Sequence, residues 1–146
     1  MHVWPGLPVG QVATRASTLM AASSVFRMVV HGRGGHGAMP HLSTDPILTA
    51  SHIITALQAL VSRETSPLDA AVVSVTEFLA GSSTNVIPDD ASLRGTIRTL
   101  TEEAHVVLKG RVQEVRCVYV GILATAVVAA MWKDPYIQLE RHTHMV

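Results

Sequence analysis

The chain has 146 residues, enough for one compact domain with a single core. Eleven basic and eleven acidic side chains cancel to a formal net charge of zero, so the balance gives no support for a nucleic-acid partner. Eight histidines raise the question of metals and proton transfer, while the single cysteine, Cys117, excludes an internal disulfide and suits a reducing compartment such as the cytoplasm.

Residues 1–23 carry two prolines and two glycines before any periodic pattern and read as an irregular lead-in without the basic start and apolar run of a secretory signal. Val25 to His31, rich in β-branched residues, predicts a strand that stops at the cluster Gly32 to Gly37. Asp45-Pro46 predicts a helix start, since the aspartate can accept a free backbone N–H and proline suits the first helical position. That helix is expected to reach about Ser62 with Ile47, Ala50, Ile54, Leu57 and Val61 as its apolar stripe.

Pro67-Leu68-Asp69 breaks the helix, and Ala71 to Phe78 predicts a second strand with Val73 and Val75 on one face. Asn85 to Asp90 reads as a loop and Ser92 to Thr99 as a third strand. Thr101-Glu102-Glu103 opens a second helix in which Leu108, Val112, Val115 and Tyr119 share a face. Leu123 to Trp132 predicts a fourth, buried strand. The uncharged run from Cys117 to Met131 has fifteen residues; about 20 are needed to cross a bilayer, so no membrane span is expected. The order β-α-β-β-α-β implies an α+β, ferredoxin-like fold: a four-stranded antiparallel sheet with two helices on one face.

Gly32-Arg33-Gly34-Gly35-His36-Gly37 satisfies G-x-G-x-x-G after a strand, which raises a nucleotide-binding reading. Such a turn needs a helix that begins inside the motif and an acidic residue at the end of a second strand; Pro40 interrupts here and a helix occupies the later position. Left to itself the motif is a glycine-permitted loop bearing histidines.

The run Gly32 to His41 with Thr44-Asp45-Pro46 resembles the lid-domain signature of the aminoacylases, hippurate hydrolases and auxin-conjugate (IAA-amino acid) hydrolases, which are zinc-dependent, metallopeptidase-like amidohydrolases. Three further blocks follow in family order: Ala56-Leu57-Gln58 with Ser62-Arg63, Thr84 to Asp89, and Leu93 to Thr99. His2 to Gly10, with Met20-Ala21-Ala22, resembles the family's passage from catalytic domain to lid. The resemblance divides the chain into a remnant of the catalytic domain and linker at 1–23, a lid or dimerisation domain at 24–132, and a return segment at 133–146.

The resemblance implies a hydrolase that cleaves N-acyl amino acids and works as a homodimer joined through its lids. It also implies a divalent metal pair, zinc, manganese or cobalt, that activates water. His36 matches the lid histidine held to reach the partner subunit's active site and stabilise the oxygen that becomes negative. Asn85 and Arg98 match substrate-contacting positions, for a carbonyl and a carboxylate respectively. The bland alternatives are a turn residue for Asn85 and an outward strand residue for Arg98. His2 matches a metal ligand, but the family's other ligand blocks do not occur, and about three protein ligands are needed for a catalytic zinc. The chain alone is therefore expected to be inactive. His41 is expected to pack beneath the glycine loop, and His142 with His144 is expected to carry no role. A non-enzymatic dimerisation or binding module remains the alternative, with a nucleotide-binding α/β domain behind it.

Overall fold

The computed structural model describes residues 3–123, with side chains as far as Arg116. Residues 3–21 form no regular structure and lie exposed. Strand β1, Ala22–His31, alternates as a half-buried strand must, with Ser24, Phe26, Met28 and Val30 inside and Arg27 outside. It begins three residues before the expected Val25.

Helix α1, Pro46–Ala59, starts where the capping signal put it: the Asp45 side chain accepts from the amides of Ile47 and Leu48, and Pro46 opens the first turn. The buried stripe is Pro46, Thr49, Ala50, Ile53 and Leu57, whereas Ile47 lies exposed and Ile54 and Val61 only border the core. Spacings of three and four fit two overlapping stripes about 100° apart, and the sheet selects the second. The α-helix also ends before Ser62, passing at Leu60–Glu64 into a single wide π-type turn that buries Leu60.

Strand β3, Ala71–Ala80, and strand β5, Asp90–Thr99, complete a three-stranded antiparallel sheet in the order β1-β5-β3. A bulge between Val75 and Glu77 shifts the register of β3. In the central strand Ala91, Leu93, Gly95, Ile97 and Thr99 are buried, while Arg94 and Arg98 point to the open face. Gly95 is opposite Phe26, whose ring fills the place of a side chain: a Cβ there would stand 2.2 Å from Cζ. The stretch expected as a loop contains a short strand β4, Val86–Ile87, which pairs with β2, Gly35–His36, as a separate two-stranded ribbon.

Helix α2, Glu102–Leu123, packs on α1 and on β5, so both helices cover the same face. Leu108 and Val112 enter the core and Val115 borders it, as the periodicity predicts; the Tyr119 side chain is outside the described set. His105 is a satisfied core histidine, with Nε2 2.8 Å from Ser24 Oγ and Nδ1 3.1 Å from Thr99 Oγ1. Arg111 grips both carboxylate oxygens of Glu64 at 2.7 and 2.9 Å and also meets Glu114, tying the end of α1 to α2. The Glu64 carboxyl is held below its usual range, first by that hydrogen bond and then by the guanidinium charge, against a partial desolvation.

The described residues thus form an α+β fold of two helices on an antiparallel three-stranded sheet, with the ribbon beside it, rather than four strands in one sheet. The fourth strand expected at 123–132 lies outside the described residues apart from Leu123, which ends α2. His2, His142, His144 and the segment 133–146 lie outside them too.

Candidate functional site

At the end of the sheet where β1 leaves and β5 enters, the glycine segment is stitched on both sides. Gly32 N–H donates to the Asp89 carbonyl at 2.7 Å, and Arg33 and Thr44 exchange backbone bonds of 2.9 Å each. Gly34 N–H donates to Asp89 Oδ1 at 2.8 Å, and Gly37 N–H to the Asn85 carbonyl at 2.8 Å. Between them Gly35 pairs with Ile87 and His36 with Val86.

The glycines are there for close approach. A Cβ on Gly32 would lie 2.2 Å from the Thr44 carbonyl oxygen, and one on Gly34 2.5 Å from that of Ile87. Positive φ among the described glycines occurs at Gly10 and Gly81 instead. The segment is a braced strap rather than a permissive loop, and Asp89, which sequence reasoning passed over, is the residue that braces it. Its signal was an acidic side chain directly after Pro88, within reach of a run of free amides.

The ribbon presents His36 to solvent. Its Nδ1 accepts from the Ala38 amide at 3.1 Å, and its carbonyl accepts from Met39 N–H at 2.8 Å. Asn85 is also exposed, beside Val86, the cross-strand partner of His36. Ser83 Oγ donates to its Oδ1 at 2.6 Å, leaving the Asn85 amide NH2 as the outward donor. A shallow depression lined by Ser82, Ser83, Thr84, Ile47 and Val86 adjoins it. The sequence-predicted His36 and Asn85 therefore stand on the two facing segments of one ribbon, His36 opposite Val86 and Asn85 opposite Gly37.

Arg98 does not join them. It stands eight residues along β5 from Asp90, roughly 27 Å at strand rise, exposed on the open face between Ser23 and Val72. His41 is exposed in the 3-10 turn Pro40–Leu42, so it does not pack beneath the strap. That turn is instead held by Arg33, whose Nη2 donates to the Leu42 carbonyl at 2.8 Å. No helix opens inside the glycine motif, since α1 starts only at Pro46, and the sheet is antiparallel; neither suits a dinucleotide turn. Among the described residues no group of three or more His, Cys, Asp or Glu could hold a metal, and no helix is long and apolar enough to cross a membrane.

The family model described as the peptidase dimerisation domain matches residues 22–116, which spans β1 through most of α2. The chain belongs to this family. Over 115 residues the dimerisation domain is 44% identical to an N-acetyldiaminopimelate deacetylase of Bacillus subtilis (strain 168), with 79% of this chain and 31% of that protein covered. It is likewise 44% identical to the IAA-amino acid hydrolase ILR1-like 4 of Arabidopsis thaliana, covering 79% of this chain and 26% of the relative. Among solved structures, an aminohydrolase from methicillin-resistant Staphylococcus aureus superposes with a TM-score of 0.73 at 30% identity, over 75% of this chain and 28% of that one. The Bacillus subtilis YXEP protein, a dinuclear metal binding peptidase of the M20 family, superposes with a TM-score of 0.59 at 35% identity, over 85% of this chain and 28% of that one. The chain thus spans under a third of the length of these relatives.

Proposed function

We propose that the dimerisation domain serves as the lid of a metal-dependent amidohydrolase that hydrolyses N-acyl amino acids, and that it joins two subunits while lending His36 and Asn85 to a shared active site. The observation that carries this reading is the braced ribbon, which holds the backbones of His36 and Asn85 on its two facing segments at the sheet's end, each with its side chain exposed. An imidazole and a carboxamide donor suit an oxygen that gains negative charge as an amide carbonyl is attacked. The deacetylase and conjugate-hydrolase names of the relatives support N-acyl amino acids as the substrate class.

The separation of Arg98 from His36 supports a site shared across a two-fold axis. Strand β3 pairs with β5 on one side, and its other edge has no partner among the described residues. If two β3 edges pair antiparallel, the Ala71 end of one subunit, which carries Arg98 as the neighbour of Val72, lies beside the Ala80 end of the other. Arg98 could then grip the carboxylate of a substrate whose carbonyl meets the partner subunit's His36 and the partner subunit's Asn85. The fold is completed, in this reading, by a fourth strand beyond Leu123, on the open edge of β1; the order β1-β5-β3 supplies the other three positions of a ferredoxin-like sheet. Residues 1–23 and 133–146 would lead from and return to a catalytic domain, and the complete enzyme would work in the cytoplasm.

The metal pair of the complete enzyme would be zinc, manganese or cobalt, with His2 as one ligand. The described residues do not fit such a site, since no group of three or more His, Cys, Asp or Glu among them could hold a metal.

The test is a transplant of residues 22–116 into the Bacillus subtilis deacetylase in place of its matching segment. His36→Ala should lower kcat by about 10²–10³ with little change in KM, the loss expected for one oxyanion donor. Arg98→Ala should raise KM. At substrate concentrations well below the raised KM, co-expressed His36→Ala and Arg98→Ala subunits should be more active than either homodimer, since one site of the mixed dimer keeps both groups. An unchanged kcat in His36→Ala overturns the proposal, and a chain that only dimerises leaves the binding-module reading in its place.

A further inference from the structure

We infer that the backbone N–H of Ala38 fixes the neutral His36 imidazole in one tautomer, with the proton on Nε2, so that the ribbon presents a hydrogen-bond donor outward instead of a ring lone pair. A neutral imidazole has one N–H and one acceptor nitrogen. The Ala38 amide donates to Nδ1 at 3.1 Å, so Nδ1 must hold the lone pair and Nε2 the proton. Turning the ring over would set a carbon against that amide and leave the donor unmet.

The surrounding backbone makes the contact a built feature rather than a chance rotamer. The next amide, Met39, is committed to the His36 carbonyl at 2.8 Å, and the intervening Gly37 is pinned to the Asn85 carbonyl at 2.8 Å. His36 itself is paired with Val86 on the facing strand. The side chain therefore closes a short ring onto the amide two residues on, as Asn and Asp do in turns. A group held this way can donate to developing negative charge without changing its own protonation. It cannot act through Nε2 as a base or as a metal ligand without first losing that proton. This deepens the lid reading above and rests on it for its catalytic consequence, although the tautomer can be read from the chain alone.

The decisive measurement is nitrogen NMR of the full 146-residue chain with 15N-labelled histidine and alanine, at a pH where the ring is neutral. Expected are a pyridine-like Nδ1, a pyrrole-like Nε2 and a 15N–15N coupling between the Ala38 amide and Nδ1. A protonated Nδ1, or two averaging tautomers with no coupling, overturns the inference. Ala38→Pro, which lacks the donor, should release the ring to average, whereas Ala38→Gly, which keeps it, should hold the single tautomer; averaging in both variants also overturns it. In the transplanted enzyme, a Gln side chain can place its amide near the Nε2 position and an Asn only near Nδ1. His36→Gln should therefore retain most of the rate, and His36→Asn should fall by about 10²–10³, like the loss of a donor. Rescue by Asn instead of Gln sinks the inference and spares the lid reading; full activity in both variants sinks the lid reading and leaves the tautomer to the NMR result.

Discussion

Two neighbouring glycines of the strap separate backbone crowding from side-chain crowding. Neither has positive φ, so alanine is conformationally permitted at both and any penalty is steric. At Gly34 a Cβ would lie 2.5 Å from the Ile87 carbonyl oxygen, 3.0 Å from Asp89 Oδ1 and 3.1 Å from the Pro88 carbonyl carbon. These belong to the facing strand and its brace, so Gly34→Ala must push β4 away and break the bond from Gly34 N–H to Asp89; about 1–3 kcal/mol is expected for such overpacking. At Gly35 the nearest atom is Ser43 Oγ at 2.3 Å, with Ser43 Cβ at 3.6 Å. That hydroxyl has no hydrogen-bond partner among the described residues and can rotate away without losing one. Gly35→Ala should then be near neutral, or gain up to about 1 kcal/mol through the reduced freedom of the unfolded chain. Urea unfolding gives the global difference, and amide exchange at Gly37, whose N–H binds the Asn85 carbonyl, reports the ribbon locally. Faster Gly37 exchange in Gly34→Ala alone is the expected result. Equal losses in both variants, or a Gly35→Ala defect that Ser43→Ala does not relieve, would refute the reasoning.

His105→Ala should destabilise the chain by about 2–4 kcal/mol, because it opens a cavity and strands the buried hydroxyls of Ser24 and Thr99; calorimetric melting checks it. Asp45→Ala should cost about 1 kcal/mol by removing the acceptor for the Ile47 and Leu48 amides, read from the same melts. The Glu64 carboxyl, held below 4.5 by Arg111, stabilises the fold above the unfolded value, and this contribution is lost as pH falls through the lowered folded value. The Tm difference between the native chain and Glu64→Gln should accordingly be small, salt-sensitive and vanish in acid below that value. On β3 a proline at Val73 would disturb the core as well as the edge, because Val73 is buried; Leu79, 61% exposed, is the cleaner site for testing edge pairing. Leu79→Lys should shift sedimentation from dimer to monomer, and a native chain that stays monomeric at high micromolar concentration would reject edge pairing.

The amino-acid sequence by itself determined the two helices and three long strands, because each carries a local signal. The period of two in β1 and β5 and the Asp45-Pro46 cap act over a few residues and need no partner. The glycine block and the block Thr84 to Asp89 singled out His36 and Asn85 as candidates through their resemblance to the family signature. Which face of α1 turned inward was a tertiary decision, since Ile47–Ile54–Val61 and Ala50–Ile53–Leu57 satisfy the same spacing and only the sheet distinguishes them. The ribbon was decided there too, because two-residue strands have no period and exist only through pairing between segments about fifty residues apart. So was the distance between Arg98 and His36: membership in two blocks of one signature says nothing of the strand rise that carries Arg98 to the far end of the sheet.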